Sequence, residues 1–196
     1  MSLIMTQLFH DLRPNPTNRL PVIVSLLLLP VFGQQDVLAA KPANVLYVTQ
    51  SAAFAHPVLP HTEAVFERIA TEAGLFEVTV TRDAATLTAD TLSNYDAVVF
   101  FTTGELPMNK MQQAALLAYV RQGGGFVGVH SATDTFYEWP QYLALIGGYF
   151  DGHPWHQQVT VRVEDGSHPA TRHLGESFEI HDEIYQHRDW SRDRVN

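Results

Sequence analysis

Ten histidines among 196 residues, with no cysteine at all, define the chemistry open to this chain. Histidine changes charge near neutral pH, so the excess points to acid–base work or metal ligation. The absence of cysteine removes disulfide frameworks, thiolate zinc clusters, iron–sulfur centres and thiol nucleophiles. The sharpest local pattern is Gly128-Val129-His130-Ser131-Ala132. It lies where an apolar run ends, with small residues on both sides of the central one. That is the requirement of a tight elbow that presents its middle side chain. An imidazole at that point suits general acid–base chemistry or metal binding better than stable acylation. A strand-end histidine bonded to nearby backbone is the plainer alternative.

Two further clusters follow. In Gly152-His153-Pro154-Trp155-His156 the histidines stand three apart, but Pro154 opposes a helical face, so a surface loop with an aromatic plug is the simpler reading. In Ile180-His181-Asp182-Glu183-Ile184-Tyr185, adjacent carboxylates on an extended segment point to opposite sides, so at most one faces a given pocket. A charged edge strand would look the same. Gly166-Ser167-His168-Pro169 reads as a turn, and His56, His61, His173 and His187 are individually uninformative. Gly123-Gly124-Gly125 closes a helix and opens a strand, the reverse of a phosphate-cradling loop.

The elements that must position these groups alternate. Asn44–Thr49, Phe76–Thr81, Tyr95–Phe101 and Gly125–His130 read as short strands, three of them predominantly apolar as buried strands are. His61–Ala73 and Pro107–Gln122 carry apolar residues at helical spacing, each ending at a glycine. Strand–helix alternation with short connections predicts an α/β fold on a doubly wound parallel sheet, whose site lies at the carboxyl ends of the strands. Beyond Gly147, Gln157–Val163 alternates like an outer strand, and Phe178–Tyr185 suits a segment lining the site. The polar stretch after it shows no closing strand or helix.

The first forty residues read as an address. Arg13 and Arg19 precede an uncharged apolar run, Leu20 to Phe32, and then Val37-Leu38-Ala39-Ala40. This is the order of a signal peptide: positive region, apolar region, small-residue cleavage site. The run is shorter than the roughly 20 residues that span a bilayer, so no stable membrane insertion is expected after cleavage. Residues 1–40 are therefore expected to be removed, leaving a domain of residues 41–196 exported to a periplasm or the extracellular space. A formal net charge of −9 argues against nucleic acid as a partner.

The segment from Gly123 to Ala170, followed by FEIHDEIYQ at 178–186, resembles the ThuA-like (trehalose utilisation) family, and residues 95–123 fit as well. The order of GVHSATD, GGYF-x-GHP, HP and DE-x-Y carries the resemblance. It implies a flavodoxin-like, three-layer fold of the class I glutamine amidotransferase type. The cysteine of amidotransferases is replaced by His130, so glutaminase chemistry is not expected. It also implies a further glycine-rich strand past DE-x-Y, which the present residues do not include, so the sheet is expected to lack it.

Matching residue by residue, the resemblance implies His130, Asp182 and Glu183 as catalytic groups and His61, Ser131, Asp134 and His153 as substrate-binding groups. Trp155 is a further candidate for stacking on a sugar, with Phe136, Tyr137 and Trp139 nearby in sequence. The partner implied is a small saccharide, trehalose or a related disaccharide or its 3-keto derivative, cleaved by acid–base chemistry. A metal-assisted variant has His130 and His153 among the ligands of a divalent ion. A non-catalytic carbohydrate-binding protein and an inactive truncated member are the competing readings.

Overall fold

A short run that is apolar on both faces needs cover above and below, and two strands of this chain obtain it. The computed structural model describes residues 41–194; the segment read as a signal peptide lies outside the described residues. The central sheet is parallel, with β1 (Ala43–Val48), β2 (Phe76–Thr81), β3 (Ala97–Phe100) and β4 (Gly125–Gly128) in the order β2-β1-β3-β4. Val45 of β1 sits opposite Ala97 of β3, and Ala97 opposite Gly125 of β4. The helices are α1 (Leu59–Ala73), α2 (Ala89–Leu92), α3 (Lys110–Arg121) and α4 (Pro140–Ile146).

Period-two alternation divides the core. Val45, Tyr47, Val99 and Phe101 pack with Leu59 and Phe66 of α1 on one face. Leu46, Val48, Val98 and Phe100 pack with Leu92 of α2, Leu116 of α3 and Tyr142 of α4 on the other. This is a three-layer α/β fold, consistent with the flavodoxin-like expectation. The helix ends follow their residues: Asn109 and Gln112 form a reciprocal capping box at the start of α3, and Gly74 ends α1 at φ 63°.

Three elements differ from expectation. The run at 125–130 is a strand only to Gly128, and as the outer member of the sheet it leaves Val127 48% exposed rather than buried. The alternating segment after Gly147 is longer and paired: β6 (Trp155–Arg162) and β7 (Ser177–Ile184) form an antiparallel ribbon separate from the main sheet. Near the end, where no strand is expected, β8 (His187–Arg188) pairs with β5 (Tyr149–Phe150), just beyond the Trp155–Ile184 end of the ribbon. No helix among the described residues is long and apolar enough to cross a membrane.

Candidate active site at the carboxyl edge of the sheet

β4 ends at Gly128, and the chain turns at Val129 into a 3-10 helix, His130–Asp134. His130 takes φ 50°, the left-handed region that a residue with a Cβ occupies only at a cost of about 1–3 kcal/mol. The small neighbours are required by packing. A Cβ on Gly128 would stand 2.5 Å from Ile146 Cδ1 and 3.1 Å from the Cβ of Ala132. Behind the turn, the buried Tyr142 hydroxyl donates to the Ala132 carbonyl at 2.8 Å. Burial drives the Tyr142 pKa well above its ordinary value, so this hydroxyl stays a donor.

The His130 ring points to a meeting place of several segments. Its Nε2 lies 3.2 Å from His56 Nε2, 2.9 Å from the Tyr185 hydroxyl and 3.9 Å from Glu183 Oε2. The Phe101 ring meets it edge-on at 5.3 Å between centroids. The His130 side chain keeps 30% of its surface exposed and Glu183 35%, so the cluster opens to solvent.

Each partner is placed by a local device. His56 follows β1 in the 51–58 loop, clamped between Phe54 at 4.9 Å and Phe101 at 5.5 Å, with Pro57 after it restricting its backbone. That loop lies hard against Gly104, at φ 74°, where a Cβ would stand 2.8 Å from the Ala53 nitrogen. Burial, and then the neighbouring His130, hold the His56 pKa below the ordinary imidazole value, with Glu183 and Asp134 opposing. Its Nδ1 is buried with no hydrogen-bond partner.

Tyr185 and Glu183 come from the end of β7 and the residue just past it. The period of two sends both to the same side. Tyr185 is gripped by Phe150 at 4.6 Å and by a stacked His153, whose ring lies 5.6 Å away at 15°. Gly152, at φ 115°, makes the turn that brings His153 there. Burial and the nearby carboxylates of Glu183, Asp134 and Asp182 push the Tyr185 hydroxyl up to about 12. It is therefore a donor at neutral pH.

The sequence-derived candidates separate accordingly. His130, Glu183 and, through Tyr185, His153 are brought together. Asp182 turns to the opposite ribbon face, paired with Gln157, and its Oδ1 accepts from the Glu183 backbone N–H at 2.8 Å. Trp155, half exposed, stands opposite Ile184 on that same far face, whereas the residue opposite Glu183 is His156. Ser131 is buried, with an unpartnered Oγ, and Asp134 accepts from the Tyr137 hydroxyl at 2.5 Å. Phe136 and Trp139 are core residues.

His61 stands exposed in the first turn of α1; the histidine after β1 that meets His130 is His56. His153 and His130 both contact the Tyr185 ring, and among the described residues no three His, Asp or Glu side chains are placed to share a metal ion. His168, of the HP motif, is used locally: its Nδ1 accepts from the Ala170 N–H at 3.2 Å within a turn capped by Asp165. His56 and Tyr185 had no assigned role in the sequence. For Tyr185 the signal was present, two residues past Glu183 on the same face; for His56 it was not.

Comparison with known proteins bears on the family and the fold. Residues 44–196 match the family described as ThuA, trehalose utilisation. A crystal structure of a ThuA-like protein from Bacteroides uniformis ATCC 8492 superposes with a TM-score of 0.66 at 27% identity, covering 81% of this chain and 66% of that one. A second, from Parabacteroides merdae ATCC 43184, gives 0.60 at 20% identity, covering 74% and 63%, and bears on the fold alone. The chain thus matches less than two thirds of the length of either structure. No curated protein sequence matches it.

Proposed function

The chain belongs to the ThuA (trehalose utilisation) family, and from that premise we propose that it is an exported sugar-processing enzyme that uses His130 as its acid–base group. The substrate class is trehalose or a related disaccharide, in particular a 3-keto derivative. The observation that carries this reading is the convergence at one atom: His130 Nε2, on a strained elbow, within 2.9–3.9 Å of the Tyr185 hydroxyl, His56 and Glu183, and open to solvent. Strain of this kind clusters at working sites, and a base needs an accessible lone pair within reach of the proton it removes.

A 3-keto group acidifies the neighbouring C–H. His130 takes that proton, and the C–H pair becomes the new C=C bond as the carbonyl π pair moves to oxygen. Collapse of the enolate then expels the glycosidic oxygen with its bonding pair, and His130-H⁺ returns the proton to it. Water adds to the resulting unsaturated ketone to complete hydrolysis. Glu183, beside the ring, favours the imidazolium that forms between the two transfers.

The test is product release by purified protein from trehalose and 3-keto-trehalose, with and without chelator, alongside His130→Ala. Release of glucose or keto-glucose that disappears in His130→Ala while the melting transition is retained supports the reading. Full turnover by that variant refutes it. Saturable sugar binding with no product from either sugar would favour the alternative, a carbohydrate-binding protein.

A further inference from the structure

We infer that His56 and Tyr185 form a pair of hydrogen-bond donors for a substrate oxyanion, set beside the His130 base, with His56 acting through its Nε2–H as a neutral imidazole. The inference rests on the reading of His130 as the acid–base group, and it makes the site one for substrates that carry a carbonyl beside an ionisable C–H.

His130 Nε2 faces two groups, His56 Nε2 at 3.2 Å and the Tyr185 hydroxyl at 2.9 Å. A single N–H on His130 can be aimed well at only one of them, whereas a bare Nε2 accepts from both. His56 decides between the arrangements. Its two nitrogens hold one proton when neutral, and its Nδ1 is buried without a partner. A proton placed there would be an orphaned buried donor, the rarer kind of unmet group, while an unmet acceptor is better tolerated. His56 therefore carries its proton on Nε2, His130 carries its own on Nδ1, and both donors point at the His130 lone pair.

That lone pair occupies the place of an acceptor. A carbonyl oxygen entering between the donors meets an N–H and an O–H already fixed in direction by packing: Phe54 and Phe101 hold the His56 ring, and Phe150 and His153 hold Tyr185. Displacing their contact frees the His130 lone pair at the moment a substrate C–H, two bonds from that oxygen, comes within its reach. His130 then removes the proton, the C–H pair becomes C=C, and the charge that moves to oxygen is received by the two donors. Reversal re-forms the C=O and returns a proton to carbon, so the step is visible as exchange even where no bond is cleaved. Burial and the neighbouring His130 keep His56 neutral, and a neutral imidazole donates to an enolate oxygen without surrendering its proton.

Two measurements test this. Long-range ¹⁵N–¹H correlation spectra of the free protein read the histidine tautomers directly, with no substrate needed. The expected result is a proton on Nε2 of His56 and a bare Nε2 on His130; a proton on Nδ1 of His56 overturns the inference. The second measurement is deuterium uptake by a 3-keto disaccharide in D₂O, beside the cleavage assay, for wild type, His56→Phe and Tyr185→Phe. The phenylalanine at 56 keeps an aromatic ring in the slot while removing the donor. Each substitution is expected to slow exchange by about 10²-fold, mainly in kcat, the usual effect of losing one oxyanion donor. Exchange at the wild-type rate in both variants overturns the inference and leaves His130 as the base. If the wild type shows no exchange and no cleavage, the acid–base reading is overturned, and the donor pair with it.

Discussion

The hydroxyl of Tyr142 offers a measurable handle on the elbow, although it never meets the site. It is wholly buried, stacked on Trp139 at 5.7 Å, and its proton goes to the carbonyl of Ala132 in the turn that presents His130. Tyr142→Phe keeps the ring and its packing and deletes only that donor, so the Ala132 carbonyl is left buried without its bond. An unmet group of this kind costs about 1–3 kcal/mol. For a domain of about 150 residues each kcal/mol moves Tm by roughly 2–4 °C, so the expected loss is about 2–12 °C. The assay is thermal unfolding followed by circular dichroism at fixed pH, with urea titration to confirm that the slope m is unchanged. Because the carbonyl lies two residues past His130, catalytic exchange should fall as well, with kcat more affected than KM. A variant with wild-type Tm and wild-type exchange would refute the claim that this hydroxyl holds the elbow.

Further expectations follow from the same geometry. Gly104→Ala forces a Cβ against the Ala53 backbone at a positive φ, and should cost about 2 kcal/mol or more while breaking the His56–His130 contact in histidine spectra. His130→Asn, which tolerates the left-handed conformation, should keep stability within about 1 kcal/mol of wild type while abolishing product formation, as unfolding and product assays on one preparation would show. His56 has its pKa depressed in the folded state, chiefly by burial. The unfolded chain therefore binds this proton more readily, and the stability this neutral imidazole contributes is lost as pH falls below about 6.5. Melting curves between pH 7.5 and 5 should decline less steeply in His56→Gln; identical slopes would contradict the assignment. His187, lowered by burial, adds a limb of the same sign, so the slope should flatten in His56→Gln without vanishing.

Much of the architecture is legible in the sequence. The strands at 44–49 and 76–81 and the helices at 61–73 and 107–122 are each displaced by no more than about three residues at either end, because period and breaker residues are local properties that the chain carries with it. The elbow was legible for the same reason: small residues flanking His130 are a local steric demand, and Gly128 meets Ile146 where a larger residue would collide. The statement that only one of two adjacent carboxylates faces a pocket also needed no structure, since alternation is built into extended backbone.

Which carboxylate it is, and which histidine joins it, belong to tertiary structure. Glu183 rather than Asp182 faces His130 because the register of β7 on β6 sets the side, and register depends on pairing with residues distant in the chain, His156 for Glu183 and Gln157 for Asp182. His56 and His61 lie equally near β1 in the sequence, and nothing in their types separates them. What separates them is the close approach of the 51–56 loop to Gly104, a contact across 51 positions of chain, which carries His56 over the strand ends while His61 goes into solvent with the first turn of α1. The sequence by itself determined the layers and the elbow that presents its histidine. Only the folded chain decided the company that histidine keeps, because contacts between segments distant in sequence leave no periodic trace in either one.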